Sequence, residues 1–319
     1  MANATNVTNS TNFSSFVEGE LLLDHYVLLY SIWAIQYFVI IFGCLGNSLF
    51  CVTIIRYPRL HTPFNALAFA LSVGDLLTSA TAVPLNHALS RHFVQYGTIY
   101  DTPLCYSGTF LLNVFKWNSV LIMTEMAILR ARVVFSKVVD PLRRRTVVKL
   151  IVGNVFATSA FSTYRTFFNK NNVCASRETD NGNRLLNIAV FSFLYVNLII
   201  SYVILSTFIH YRSVAMPDGA RNPNRYEIAT IRASAIIVTS YLVAHLPYIV
   251  YTLFLHFGVA TDTSFLLHTF LTNIFSLCNV SDTVIFSVIS SQYREHVFLL
   301  LRGTRTKTKN PMIDISSST

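Results

Sequence analysis

Seven apolar runs, each about 20 residues or longer, follow one another along the chain with short polar stretches between them. A bilayer core about 30 Å thick is crossed by roughly 20 residues of α-helix. Inside it every backbone N–H and C=O needs a partner within the segment, so each run is expected to be a helix. The expected spans are Val27–Ile55, Phe64–Leu89, Leu104–Phe135, Val147–Phe167, Leu185–Tyr211, Tyr226–Phe257 and Ser264–Ile289. The expected fold is an all-α membrane protein, a bundle of seven transmembrane helices over residues 27–290. Residues 1–26 are expected to form an extracellular, glycosylated N-terminus. Residues 291–301 (SQYREHVFLLL) are apolar on one face and charged on the other, the pattern of a short interfacial helix. Residues 302–319 are short, polar and rich in Ser and Thr, and are expected to be a disordered cytoplasmic tail.

Charge tells the same story. The chain is 53% apolar and only 12% charged, where a soluble domain carries about 25%. Its net charge of +9 raises the question of nucleic acid, but the distribution answers it. Eighteen of the 24 Lys and Arg fall in alternate loops and the tail, from Arg56 and Arg59 through Arg143, Arg144 and Arg145 to Arg302 and Lys309. That is the positive-inside pattern beside anionic lipid, not a nucleic-acid surface. Four glycan acceptor sequons in a row, at Asn3, Asn6, Asn9 and Asn12, put the N-terminus on the other side. No long apolar stretch precedes Val27, so the first span is expected to act as its own insertion signal.

Five cysteines occur. Cys44, Cys51 and Cys278 lie within spans and read as plain buried thiols. Cys105 and Cys174 both fall on the oxidising side, at the outer end of span three and in the loop between spans four and five. A bridge between them would pin that loop over the third helix; two free thiols are the alternative.

Ionisable groups inside a bilayer are costly and are functional candidates. Here they are Asp75, Lys116, Glu125, Arg130 and Asp282, with Asn47 in span one. Their frame is Gly46-Asn47, Leu71-Ser-Val-Gly-Asp75 with Pro84 nine residues on, and Cys105 with Arg130 twenty-five residues later. Tyr202, Pro247 and Asp282-Thr-Val-Ile-Phe286 before Tyr293-Arg294 complete it. In joint order and spacing this resembles the rhodopsin-like (class A) family of G-protein-coupled receptors, over nearly the whole chain. Arg56-Tyr-Pro-Arg-Leu60 is similar to the melatonin-like and trapped-in-endoderm-like branches, and the branch is left open.

The sequence departs from that family in several places. Leu129-Arg130-Ala131 stands for the acidic-Arg-Tyr triplet, and Ala244-His245-Leu246-Pro247 for Cys-Trp-x-Pro. Asp282-Thr283 stands for Asn-Pro, Leu194 for the span-five proline, and the span-four tryptophan is missing. The resemblance implies that Arg130 couples to a G protein, that Glu227 restrains it, and that Tyr202 and Pro247 serve the motion of span six. Spans five and seven, lacking proline, are expected to run straighter, with Thr283 bending span seven by bonding back to its main chain.

The resemblance also implies a central polar pocket of Asn47, Asp75, Ser119 and Asp282, where sodium is a candidate ion at Asp75, Ser119 and Asp282. Two facing carboxylates repel, so a cation or a proton must be shared. Lys116 lies one turn outward from Ser119. Three placements stand open for its ammonium: between Asp75 and Asp282 in place of sodium, toward the ligand cavity as an anion site, or snorkelling to water. Candidate cavity walls are Leu112, Lys116, Phe191, Tyr195, His245, Tyr248 and Asn273. Leu112 stands where amine receptors of this resemblance carry Asp, and Ser276 where opsins carry the retinal lysine. The expected ligand is therefore extracellular and neither amine nor retinal. His25, His87, His92, His256 and His268 gather toward the outer face as proton or zinc sensors, or as plain surface histidines.

No metalloprotease, nucleophile-elbow or phosphate-loop motif occurs, so no enzyme activity and no cofactor are expected. The leading reading is a plasma-membrane receptor with a heterotrimeric G protein as partner, the bilayer around it, and no nucleic acid. A decoy or constitutively active receptor form is the second reading. A transporter is the third, although it would more often show internal repeats.

Overall fold

In the computed structural model, the residues described are 26–96, 103–135, 144–164, 166, single helical positions between 188 and 207, 225–257, 265–289 and 291–302. They are helical almost throughout, and no strand occurs among them. Helix α1 is Tyr26–Arg56, and α2 begins at Pro63–Leu77 and continues as Val83–Tyr96. Helix α3 is Pro103–Phe135 and α4 is Arg144–Thr163. The positions between 188 and 207 belong to α5, and α6 is Arg225–His256. Helix α7 runs in two pieces, Phe265–Ser276 and Cys278–Ile289, and α8 is Ser291–Leu301. By length and composition alone, four of the described helices are apolar enough to cross a membrane.

Local chemistry sets the ends. Thr62 is the N-cap of α2: its hydroxyl accepts the Asn65 N–H at 3.2 Å, and Pro63 follows at the first helical position. Arg294 of α8 reaches back and donates to the Val288 carbonyl at 2.9 Å, covering an orphan acceptor at the end of α7.

The interior follows membrane logic. Large apolar side chains point outward: Phe156 is 77% exposed and Leu45 67% exposed. Lipid is as apolar as they are, so exposure there carries no hydrophobic penalty. The polar side chains turn inward instead. Asn47, Asp75, His245, Asp282 and Asn279 are all buried. An apolar cluster of Phe50, Leu67, Leu71, Ile122, Met126, Tyr241, Phe286 and Tyr293 joins α1, α2, α3, α6, α7 and α8. Within it Tyr293 of α8 lies 4.6 Å ring to ring from Phe50, and Phe50 lies 5.4 Å from Phe286.

Three irregularities were not legible as such. Two π turns interrupt α1 and α2, at Val39–Gly43 and Thr78–Ala82. The second lies directly ahead of Pro84, whose ring displaces the preceding turn and removes one donor. The third overturns the expectation of a straight span seven. Helix α7 breaks at Leu277, where the N–H groups of Leu277 and Val280 bond three residues back, at 3.1 Å each. Thr283 does not bond back to its own main chain; its hydroxyl donates to Asn47 Oδ1 at 2.7 Å. Helix α6 keeps Pro247 inside an unbroken helix, on an exposed face with Val243 and Leu246.

Candidate functional site

The polar pocket is built where α1, α2, α3 and α7 meet. Asn47 is its hinge pin. Its amide donates to the Gly43 carbonyl at 2.9 Å and to the Asn279 carbonyl at 2.8 Å. Its own oxygen accepts from Thr283. One buried side chain thus serves the end of the α1 π turn and the broken segment of α7. Close approach of α1 makes this reach short enough: a Cβ on Gly43 would strike the Ser79 side chain, and one on Gly46 would lie 3.4 Å from Thr283. Glycine at position 43 lets the helix backbones approach, while a Cβ at position 46 would make an ordinary contact.

Ser119 of α3 faces Asp75 of α2, Oγ to Oδ1 at 3.5 Å, the outer limit of a hydrogen bond. Asp75 and Asp282 are near enough to repel. Asp75 Oδ2 and Ser79 Oγ are buried and receive no hydrogen bond, and the Tyr241 hydroxyl stands close to the buried Asp282 carboxylate. Buried carboxylate oxygens left this way cost several kcal/mol unless a cation, a proton or water reaches them. The donor set is all oxygen, which suits a hard monovalent cation and not a thiolate-seeking metal. Cys278 sits beside it as a free thiol, with Sγ 3.8 Å from the Ser240 carbonyl.

Outward of that pocket lies an aromatic box. Lys116 Nζ stands 4.3 Å from the Tyr248 ring centroid and 5.4 Å from that of Phe275. Beneath it His245 packs on Phe275 at 3.9 Å, on Tyr195 at 5.3 Å and on Tyr241 at 6.3 Å. This bears on one of the placements left open for Lys116. Its head is held by rings of α6 and α7, and neither oxygen of Asp282 receives a bond from it. The expected bridge between Asp75 and Asp282 is therefore corrected. An ammonium on a desolvated aromatic face gains about 2 kcal/mol, while two acids would both need to stay ionised to hold it between them.

Of the expected cavity walls, Leu112 and Lys116 are half-buried, and Tyr195, His245, Tyr248 and Asn273 are buried. The Asn273 amide donates to the Thr269 carbonyl of its own helix at 2.7 Å. Phe191 and Tyr202 lie outside the described residues, as do Cys174, Asn3, Asn6, Asn9 and Asn12. Arg130 lies in α3 and Glu227 in α6, with side chains outside the described set. Cys105 is buried at the outer end of α3 and is disulfide-bonded. Cys44, expected to be buried, is only half-buried.

Sequence reasoning missed Phe275, Tyr241 and Asn279. Helical spacing held the signal: Tyr241 lies four residues before His245, and Phe275 seven before Asp282, each on the face of a residue already singled out. Another cluster also escaped it. His87 of α2 bonds Gln36 Oε1 at 2.9 Å and the Tyr37 hydroxyl at 3.2 Å, both on α1.

Comparison with known proteins places this architecture. The 7 transmembrane receptor (rhodopsin family) model matches residues 46–285. Squid rhodopsin superposes with a TM-score of 0.72 at 18% identity, over 88% of this chain and 84% of that one. Human neuromedin-U receptor 1 is 31% identical over 121 residues, 38% of this chain and 27% of the receptor. Rat neuromedin-U receptor 1 is 33% identical over 109 residues, 34% of this chain and 24% of the receptor. Mouse trace amine-associated receptor 9 is 28% identical over 110 residues, 30% of this chain and 32% of the receptor. The matched segment thus spans only about a quarter to a third of these relatives. The match to the family model covers far more than half of the chain, and with the helix bundle it makes this a multi-pass membrane protein. The chain belongs to the rhodopsin family of seven-transmembrane receptors.

Proposed function

We propose that the chain is a plasma-membrane receptor that binds an extracellular ligand and activates a heterotrimeric G protein by outward motion of α6. The observation that carries this is the family match over residues 46–285, which includes Arg130 at the end of α3 and Pro247 in α6. The N-terminus is outside and carries glycans at Asn3, Asn6, Asn9 and Asn12, and Cys105 pairs with Cys174. Glu227 holds the Arg130 guanidinium in the resting state, and Tyr202 supports the open one. Leu129 removes the neighbouring acid, so Arg130 has one restraint fewer, which favours measurable basal activity.

A second-messenger assay in cells expressing the chain tests this. Glu227→Ala is expected to raise basal output a few-fold, since a partly exposed pair contributes about 0–1 kcal/mol. Arg130→Ala is expected to lower it. A signalling chain in which neither substitution alters output would discard the gating scheme.

The trace-amine name does not carry over, because Leu112 offers no carboxylate to an amine. Sodium in the central pocket fits the buried carboxylates of Asp75 and Asp282. Ser119 completes the oxygen set. Replacing sodium by choline at fixed ionic strength is expected to lower the unfolding midpoint by about 2–4 °C, the effect of about 1 kcal/mol of ligand linkage. Asp75→Asn should remove that dependence. Equal midpoints for the wild type in both salts would leave a shared proton as the pocket's counter-charge.

A further inference from the structure

We propose that the outer half of α1 is a rotary element: the π turn at Val39–Gly43 holds it turned toward α2, and side-chain bonds to His87 and Ser90 retain it there. Packing alone does not ask for that turn. The buried residues Ile32, Gln36, Val39, Gly43, Asn47 and Phe50 follow one another at steps of three and four, the spacing that lines one face of an uninterrupted α-helix. A π turn inserts one residue into such a helix and rotates everything outward of it by about 100°, one residue's share of an α turn. The change of step is visible at Cys44, whose N–H reaches both the Ile40 and the Ile41 carbonyls. Two registers are therefore open to the same buried stripe.

Polar bonds decide between them. Gln36 and Asn47 are eleven residues apart, which in a plain α-helix sets them within about 20° of one another. Here they serve different neighbours. Outward of the turn, His87 of α2 donates from Nδ1 to Gln36 Oε1 at 2.9 Å, and its neutral ring accepts the Tyr37 hydroxyl at Nε2, 3.2 Å away. Trp33 Nε1 donates to Ser90 Oγ of α2 at 3.3 Å. Inward of the turn, the Asn47 amide donates to the Gly43 carbonyl, the last of the π turn, and to the Asn279 carbonyl of α7. The extra residue supplies the angle that lets both sets close at once. Gly43 packs against Ser79, which lies in the π turn of α2, so the pivot sits where both helices change step. Loss of the three outer bonds leaves α1 free to resume the α register. That rotation carries Trp33, Gln36 and Tyr37 off α2 and parts the outer seam between the two helices, while Asn47 stays on α7.

The test uses the purified full chain in lipid nanodiscs and two single-residue deletions. Ile41 and Val52 are both exposed residues of α1. Deleting Ile41 reduces the π turn to an α turn and keeps both bonded sets in phase. Deleting Val52 instead turns the buried Thr53, Ile54 and Tyr57 out of register with Asn47. Loss of Ile41 is expected to leave the unfolding midpoint within about 2 °C of the wild type, and loss of Val52 to lower it by more than about 4 °C. In a Trp117→Phe background Trp33 is the single tryptophan, and its quenching by brominated lipid reports the rotation. His87→Leu is expected to shift that quenching when α1 is intact and to leave it unchanged once Ile41 is deleted, because the second register is then gone. Equal effects of the two deletions on the midpoint would overturn the proposal. So would a His87→Leu shift that is absent from the intact helix, or of the same size with and without Ile41.

Discussion

Cys105→Ser is expected to cost about 2–5 kcal/mol of stability and to cut the fraction of chain reaching the cell surface. Cys105 is disulfide-bonded and only 1% exposed, packed with Leu89 of α2 and with Leu104 and Tyr106 of α3. The substitution therefore opens a cross-link and places a hydroxyl in an apolar contact. Cys174→Ser should reproduce the loss, since Cys174 is the proposed partner. Surface biotinylation and the unfolding midpoint of the purified chain report both effects. Two single variants with wild-type midpoints would show that the bridge contributes nothing.

Asn47→Leu is expected to cost about 2–4 kcal/mol, because it strands several buried groups at once. The Asn279 carbonyl loses its inter-helix donor, the Gly43 carbonyl loses its side-chain donor, and the Thr283 hydroxyl loses its acceptor. Thr283→Val removes one bond only and should cost about 1 kcal/mol. The two changes share a partner, so the double variant should lose less than the sum of the singles. Strict additivity in the unfolding midpoints would mean that Asn47 and Thr283 do not act as one unit.

The seven spans were legible because the bilayer imposes one period and one length on each. Observed ends fall close to the expected ones: α3 is Pro103–Phe135 against Leu104–Phe135, and α6 is Arg225–His256 against Tyr226–Phe257. Span four is α-helical over Arg144–Thr163 and π-helical at Tyr164 and Thr166, and its expected end at Phe167 lies outside the described residues. Residue type marked Asp75 and Asp282, since ionisable groups in lipid stand out, and the family resemblance added Asn47 and Ser119 to them. What stayed hidden depended on geometry between helices. The break at Leu277 has no proline to announce it, and the amide that donates to the nearby Asn279 carbonyl lies more than two hundred residues away, on Asn47. Lys116 was ambiguous for the same reason. Spacing fixes its face on α3 but not whether its flexible stem turns inward to two acids or outward to two rings.

Nucleotide exchange tests the central claim most directly. The purified chain is placed in lipid nanodiscs, and GDP release is followed on each main class of heterotrimeric G protein. The account predicts acceleration above empty nanodiscs for at least one class. It predicts a further rise of a few-fold with Glu227→Ala, and loss with Arg130→Ala. If neither the wild type nor Glu227→Ala accelerates release from any class, the chain is a receptor fold that does not couple to G proteins.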